Sequence, residues 1–83
     1  MLYPTVHLNG SAKQALLDGY IHALEALRAA QDALGAAAPN PRDYYGQGGL
    51  AGFQAAKEHA ARYQTLTNLI REIETIAEKV SDQ

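Results

Sequence analysis

Cysteine is absent from the 83 residues, which excludes disulfides and thiolate-bound zinc, and is consistent with a cytoplasmic setting without establishing it. Runs of one charge sign are missing as well. Seven basic and nine acidic side chains leave a net charge of −2, so there is no basic footprint for nucleic acid or an anionic membrane surface, and neither is expected as a partner. No stretch approaches the roughly 20 apolar residues needed to cross a bilayer. Met1 to Gly10 lacks the basic and unbroken apolar segments of an export signal, so a soluble, cytoplasmic chain is the expectation. Catalytic pairings are scarce too. No nucleophile stands with a base at suggestive spacing, the hydroxyls of Ser11 and Ser81 suit a cap and a tail, and the apolar faces hold no paired carboxylates. No enzyme and no cofactor are therefore expected.

What is present is organised about the segment Ala38 to Gly49, which carries Pro39 and Pro41 and then Gly46, Gly48 and Gly49. A helix cannot pass easily through those prolines, so the segment reads as a hinge between two helices. Before it, Leu17, Tyr20, Leu24, Leu27 and Leu34 recur at three and four residues, with Leu16, Ile21, Ala23 and Ala30 widening the stripe and Gln31 interrupting it. That spacing predicts an amphipathic helix over residues 12–37. Ser11 and Gln14 have the form of a capping box at its start. Asp18, His22, Glu25, Arg28 and Asp32 share the opposite face, and Glu25 with Arg28, and Arg28 with Asp32, stand at pairing distance. Gly19, a costly residue in mid-helix, is read as a mark of close helix approach. After the hinge, Phe53, Ala56, Ala60, Tyr63, Leu66, Ile70, Ile73, Ala77 and Val80 repeat in the same way over residues 50–80, thickened by Leu69 and Ile76, with Glu58 and Arg62 as a favourable pair. Residues 1–10 alternate with a period of two, giving a short extended arm that lies on the hairpin or meets a second copy.

The fold expected is all-α: one domain over residues 1–83, an antiparallel two-helix hairpin with an N-terminal arm. A core this small supplies roughly 3 to 5 kcal/mol, so such scaffolds use disulfides, metals or partners. With no cysteine, a partner is the remaining support. Both apolar faces are wider than the line along which two helices touch. A lone hairpin is expected to leave much of Leu16, Ile21, Leu69, Ile70 and Ile76 in water, each worth about 1.5 to 3 kcal/mol when buried. A homodimer closing a four-helix bundle follows from this.

The histidines do not read as metal ligands. His22 with Glu25 gives His-x-x-Glu, the reverse of the order used in di-iron bundles, and no second copy occurs. His59 lies near the edge of the apolar face beside Glu58 and Arg62, where a buried polar contact is one reading. Gly46-Gln47-Gly48-Gly49 lacks the Lys-Ser/Thr pair and preceding strand of a phosphate loop. The strongest candidate for recognition is the hinge itself, with Arg42, Asp43, Tyr44 and Tyr45 joined by His59 and Arg62. Tyrosine beside arginine is the composition of binding hot spots. Two adjacent tyrosines are seldom left in water, which also allows them to plug the end of the bundle, with Asp43 capping a short turn.

His7-Leu8-Asn9-Gly10, Ala37-Ala38-Pro39-Asn40 with Arg42-Asp43-Tyr44-Tyr45, and Glu58-His59 with Arg62 resemble small uncharacterised helical proteins of bacteria associated with phage and other mobile elements. The resemblance implies a phage-related origin and carries no activity or catalytic residue. The function expected is a non-enzymatic structural or protein-interaction module; the alternative is a small regulatory or inhibitor protein that presents the Tyr44/Tyr45 loop to a target.

Overall fold

A computed structural model of the chain describes residues 1–7, 10 and 12–83. The order is helix α1 (Lys13–Ala36), a short 3-10 helix (Pro41–Gln47) and helix α2 (Ala51–Ser81), with no strand among the described residues. The expected Ser11 cap lies outside the described residues. Ala12 stands at the N-cap in extended conformation without a side-chain cap bond, and its carbonyl accepts from Leu16 N–H at 3.1 Å. α1 closes where the N–H groups of Ala37 and Ala38 take the carbonyls of Ala33, Leu34 and Gly35, a tightened last turn that satisfies acceptors Pro39 prevents the helix from using further.

The two helices run antiparallel, and their register is read from the bonds between them. Gln31 Nε2 donates to Thr67 Oγ1 at 2.9 Å, Arg28 Nη2 approaches Glu74 Oε1 at 3.6 Å, and Lys13 Nζ donates to the Gln83 carbonyl at 2.7 Å. Leu24, Ile70 and Val80 form the buried core. All three sit on the stripes the spacing predicts, because a period near 3.6 brings such residues to one side of each helix.

Several details differ from the sequence reading. Gly19 meets nothing within 4 Å of where a Cβ would stand; it points away from α2 and marks no helix approach. Arg28 crosses to Glu74 rather than pairing along α1 with Glu25 or Asp32, because at the seam's edge the other helix is within reach. Glu58 accepts from the Gln54 amide at 3.2 Å in place of Arg62. Among the five side chains expected to stay wet, Ile70 is buried, Leu16 and Ile76 are half-buried, and only Ile21 and Leu69 are exposed.

The arm, residues 1–7, forms no strand but is tied to the end of α2. Gln83 Nε2 donates to the Pro4 carbonyl and its Oε1 accepts from Val6 N–H, each at 2.7 Å. A side-chain amide thus offers the arm the donor and acceptor that a neighbouring strand would. Lys79 Nζ lies 5.9 Å from the centre of the Tyr3 ring, within cation–π range.

The result is long and thin, 62 × 21 × 16 Å, with a radius of gyration of 18.5 Å where a compact chain of this length has about 12 Å. Its accessible surface is 6045 Å², against about 4,800 Å² for a folded monomer of this mass. No helix among the described residues is long and apolar enough to cross a membrane.

Candidate functional site

Tyr63 marks where α1 runs out. Its ring lies 3.7 Å from where a Cβ on Gly35 would be, one residue before α1 ends, so Ala51 to Arg62 overhangs α1 by about 18 Å. The 3-10 helix lies against this overhang. Pro41 packs beside Gly52, where a Cβ would meet its Cα at 3.5 Å, an ordinary van der Waals contact. Asn40 starts the 3-10 helix, its side chain accepting from Arg42 N–H at 3.1 Å while its carbonyl accepts from Asp43 N–H at 3.0 Å. The cap is therefore Asn40, and Asp43 lies in the first turn instead; an Asx side chain reaches the N–H two residues on, which places the cap just ahead of the turn. Gly48 then takes φ 113°, a conformation that L side chains rarely adopt, and turns the chain into α2.

These elements enclose an open cleft of about 270 Å³ lined by Pro41, Tyr44, Tyr45, Gly48, Gly49, Gly52 and Phe53. Its walls are aromatic and its floor is glycine backbone, so flat apolar contact and main-chain hydrogen bonding are both on offer. No charged side chain lines it. Tyr44 is half-buried, but Tyr45 is 77% exposed and Phe53 73%. The expectation that both tyrosines are withdrawn from water thus fails for Tyr45, since α1 ends too early to supply a surface for its ring.

Of the six residues singled out from the sequence, the structure brings Tyr44 and Tyr45 together in this cleft. Arg42 and Asp43 share their 3-10 helix but are exposed and do not line it, and no ion pair among the described residues engages either of them or Arg62. His59 is half-buried more than a turn beyond Phe53, and Arg62 is exposed farther still. Neither reaches the cleft. Sequence reasoning missed Phe53, placed in the core stripe, together with Pro41, Gly48, Gly49 and Gly52. The signal available was length. α2 is 31 residues and α1 24, so a stripe counted along α2 must outrun its partner at one end.

Among the described residues no three histidine, aspartate or glutamate side chains gather as metal ligands would. Compared with protein-family models, curated proteins and solved structures, the chain matches none.

Proposed function

We propose that the chain is a non-enzymatic structural or protein-interaction module that works as a homodimer, two hairpins closing a four-helix bundle. The observation that carries this reading is the surface left open. The hairpin exposes about 1,200 Å² more than a folded monomer of its mass, and a standard interface removes about 800 Å² from each partner. Covering apolar surface at about 25 cal/mol per Å² gives association a large gross gain, from which the cost of immobilising two bodies is subtracted. Sedimentation velocity at micromolar concentration tests the reading: a species of twice 8.9 kDa is expected, and a single monomeric boundary with cooperative melting overturns it.

A second reading is favoured by the exposure of Tyr45 and Phe53 on one cleft. In it the hinge end recognises a target and the protein is regulatory or inhibitory. Replacing Tyr44 and Tyr45 by alanine separates this from a structural plug, for loss of a captured partner at unchanged melting temperature speaks for recognition, and a lowered melting temperature speaks for the plug.

A further inference from the structure

The arm rests on the hairpin through non-covalent contacts that an identical arm from another chain would make equally well. Pro4 and Val6 are half-buried while Tyr3, Thr5 and His7 are exposed, so alternate side chains turn toward the hairpin as they would from one face of a strand. Gln83 bonds the main chain there, its amide donating to the Pro4 carbonyl and accepting from the Val6 N–H, each at 2.7 Å. Lys79 Nζ stands 5.9 Å from the centre of the Tyr3 ring. Lys13 Nζ, at the start of α1, donates to the Gln83 carbonyl at 2.7 Å, a contact that holds the seat in place whichever arm occupies it.

We infer that in the dimer the two copies exchange arms, so that Tyr3, Pro4 and Val6 of each lie on Lys79 and Gln83 of the other. The inference rests on the homodimer reading and adds the segment that passes between the copies. The occupant of the seat is displayed by the molecule itself, because an exchanged arm repeats each contact that the chain's own arm makes, the low-cost route by which an identical element joins two protomers. What opens is the turn in which the Gly10 N–H bonds the His7 carbonyl at 3.2 Å. Reach supports exchange. Val6 and Lys13 are seven residues apart, and extended chain of that length spans about 23 Å, whereas the hairpin is 21 × 16 Å across. A copy lying alongside with its arm at the same end therefore brings its seat within range. A copy lying the other way does not, since its seat would stand about 46 Å off, at the far end of α2. Exchange thus sets the direction of the pair as parallel. It also makes the contact bivalent, so that two hairpins separate fully only when both arms have let go.

The test puts a working arm and a working seat on different full-length chains. Gln83→Ala keeps the arm and removes the amide that seats it, whereas Val6→Pro keeps the seat and removes the N–H from which Gln83 accepts. Hydrogen exchange at the Val6 amide is followed by NMR in isotope-labelled Gln83→Ala chain. Adding unlabelled Val6→Pro chain is expected to slow that exchange at least about tenfold, because the labelled arm finds the unlabelled seat. Adding unlabelled Gln83→Ala chain is expected to leave it unchanged. An exchange rate that Val6→Pro chain does not alter, while the wild-type chain sediments as a dimer, overturns arm exchange and leaves dimerisation standing. A monomeric wild-type chain overturns the homodimer reading and this inference with it. Both variants are expected to keep wild-type helix content by circular dichroism, since neither residue lies in α1 or α2. Should Val6→Pro lose it, Val6→Asp, which sets a charge on the half-buried side of the arm, takes its place in the mixture and decides in the same way.

Discussion

Gln31 offers a measurement of what holds the seam between the helices. It stands where a leucine would continue the stripe, is half-buried, and donates its amide to Thr67 Oγ1 at 2.9 Å. Thr67 in turn donates its hydroxyl to the Tyr63 carbonyl at 3.1 Å. Gln31→Ala removes a hydrogen bond worth about 1 kcal/mol net and withdraws an apolar stem from the seam, costing about 0.5 to 1 kcal/mol more. The expected loss is about 1.5 to 2 kcal/mol. Gln31→Leu loses the same bond but half-buries an isobutyl group, a gain of about 1 kcal/mol, half the range for full burial. Adding Thr67→Val leaves no unmatched acceptor, so the double variant should fall within about 0.5 kcal/mol of the parent, as expected when both partners of a hydrogen bond are replaced by apolar groups. Urea unfolding followed by circular dichroism, at one fixed protein concentration so that any association is held constant, reads both values. In a thermal melt each kcal/mol corresponds to about 4 to 8 °C for a domain of this size. A loss of 2 kcal/mol or more in the double variant would refute the reasoning, for the polar pair would then stabilise the seam more than apolar burial does.

Three further outcomes are expected. Gly48→Ala forces a Cβ into φ 113° and should cost about 1 to 3 kcal/mol in denaturant unfolding, whereas Gly19→Ala, in open space within α1, should raise stability by about 0.5 to 1 kcal/mol. Gln83→Ala removes both amide bonds to the arm, so the Val6 amide should lose protection in hydrogen exchange while the amides at the centre of α1 keep theirs. The Arg28–Glu74 pair, about half exposed on both sides at 3.6 Å, should show a coupling below about 0.5 kcal/mol in a double-mutant cycle, shrinking further in 0.5 M salt.

The hairpin itself was legible in the sequence because each helix repeats its apolar residues over many turns, and Pro39 with Pro41 stops the first. Spacing records which side of a helix is apolar but not what stands opposite it. Gln31 therefore read as an interruption, although Thr67 lies across from it, and Arg28 read as a partner for its own helix when Glu74 was nearer. The site was legible only in part for the same reason. Tyr44 and Tyr45 stood out by composition, but Phe53 looked like one more core residue, since its place beyond the end of α1 depends on the register that brings Gly35 against Tyr63. That the arm lies on its own hairpin was one of the two readings its alternation allowed, but the side-chain amide of Gln83 that attaches it was not legible, since no periodic pattern announces such a contact.

Two packed helices protect each other along one line, and everything beyond that line needs another cover. Here the chain supplies two covers from outside its long helices. The arm is bound beside Val80, and the 3-10 helix lies against the overhang at Gly52. Both sit at the ends of a rod 62 Å long. Between them, along the stripe that holds both residues, exposure rises from 0% at Val80 to 41% at Leu69. Since a chain folded in this way places its non-helical segments at the two ends, strengthening either of them cannot close the middle.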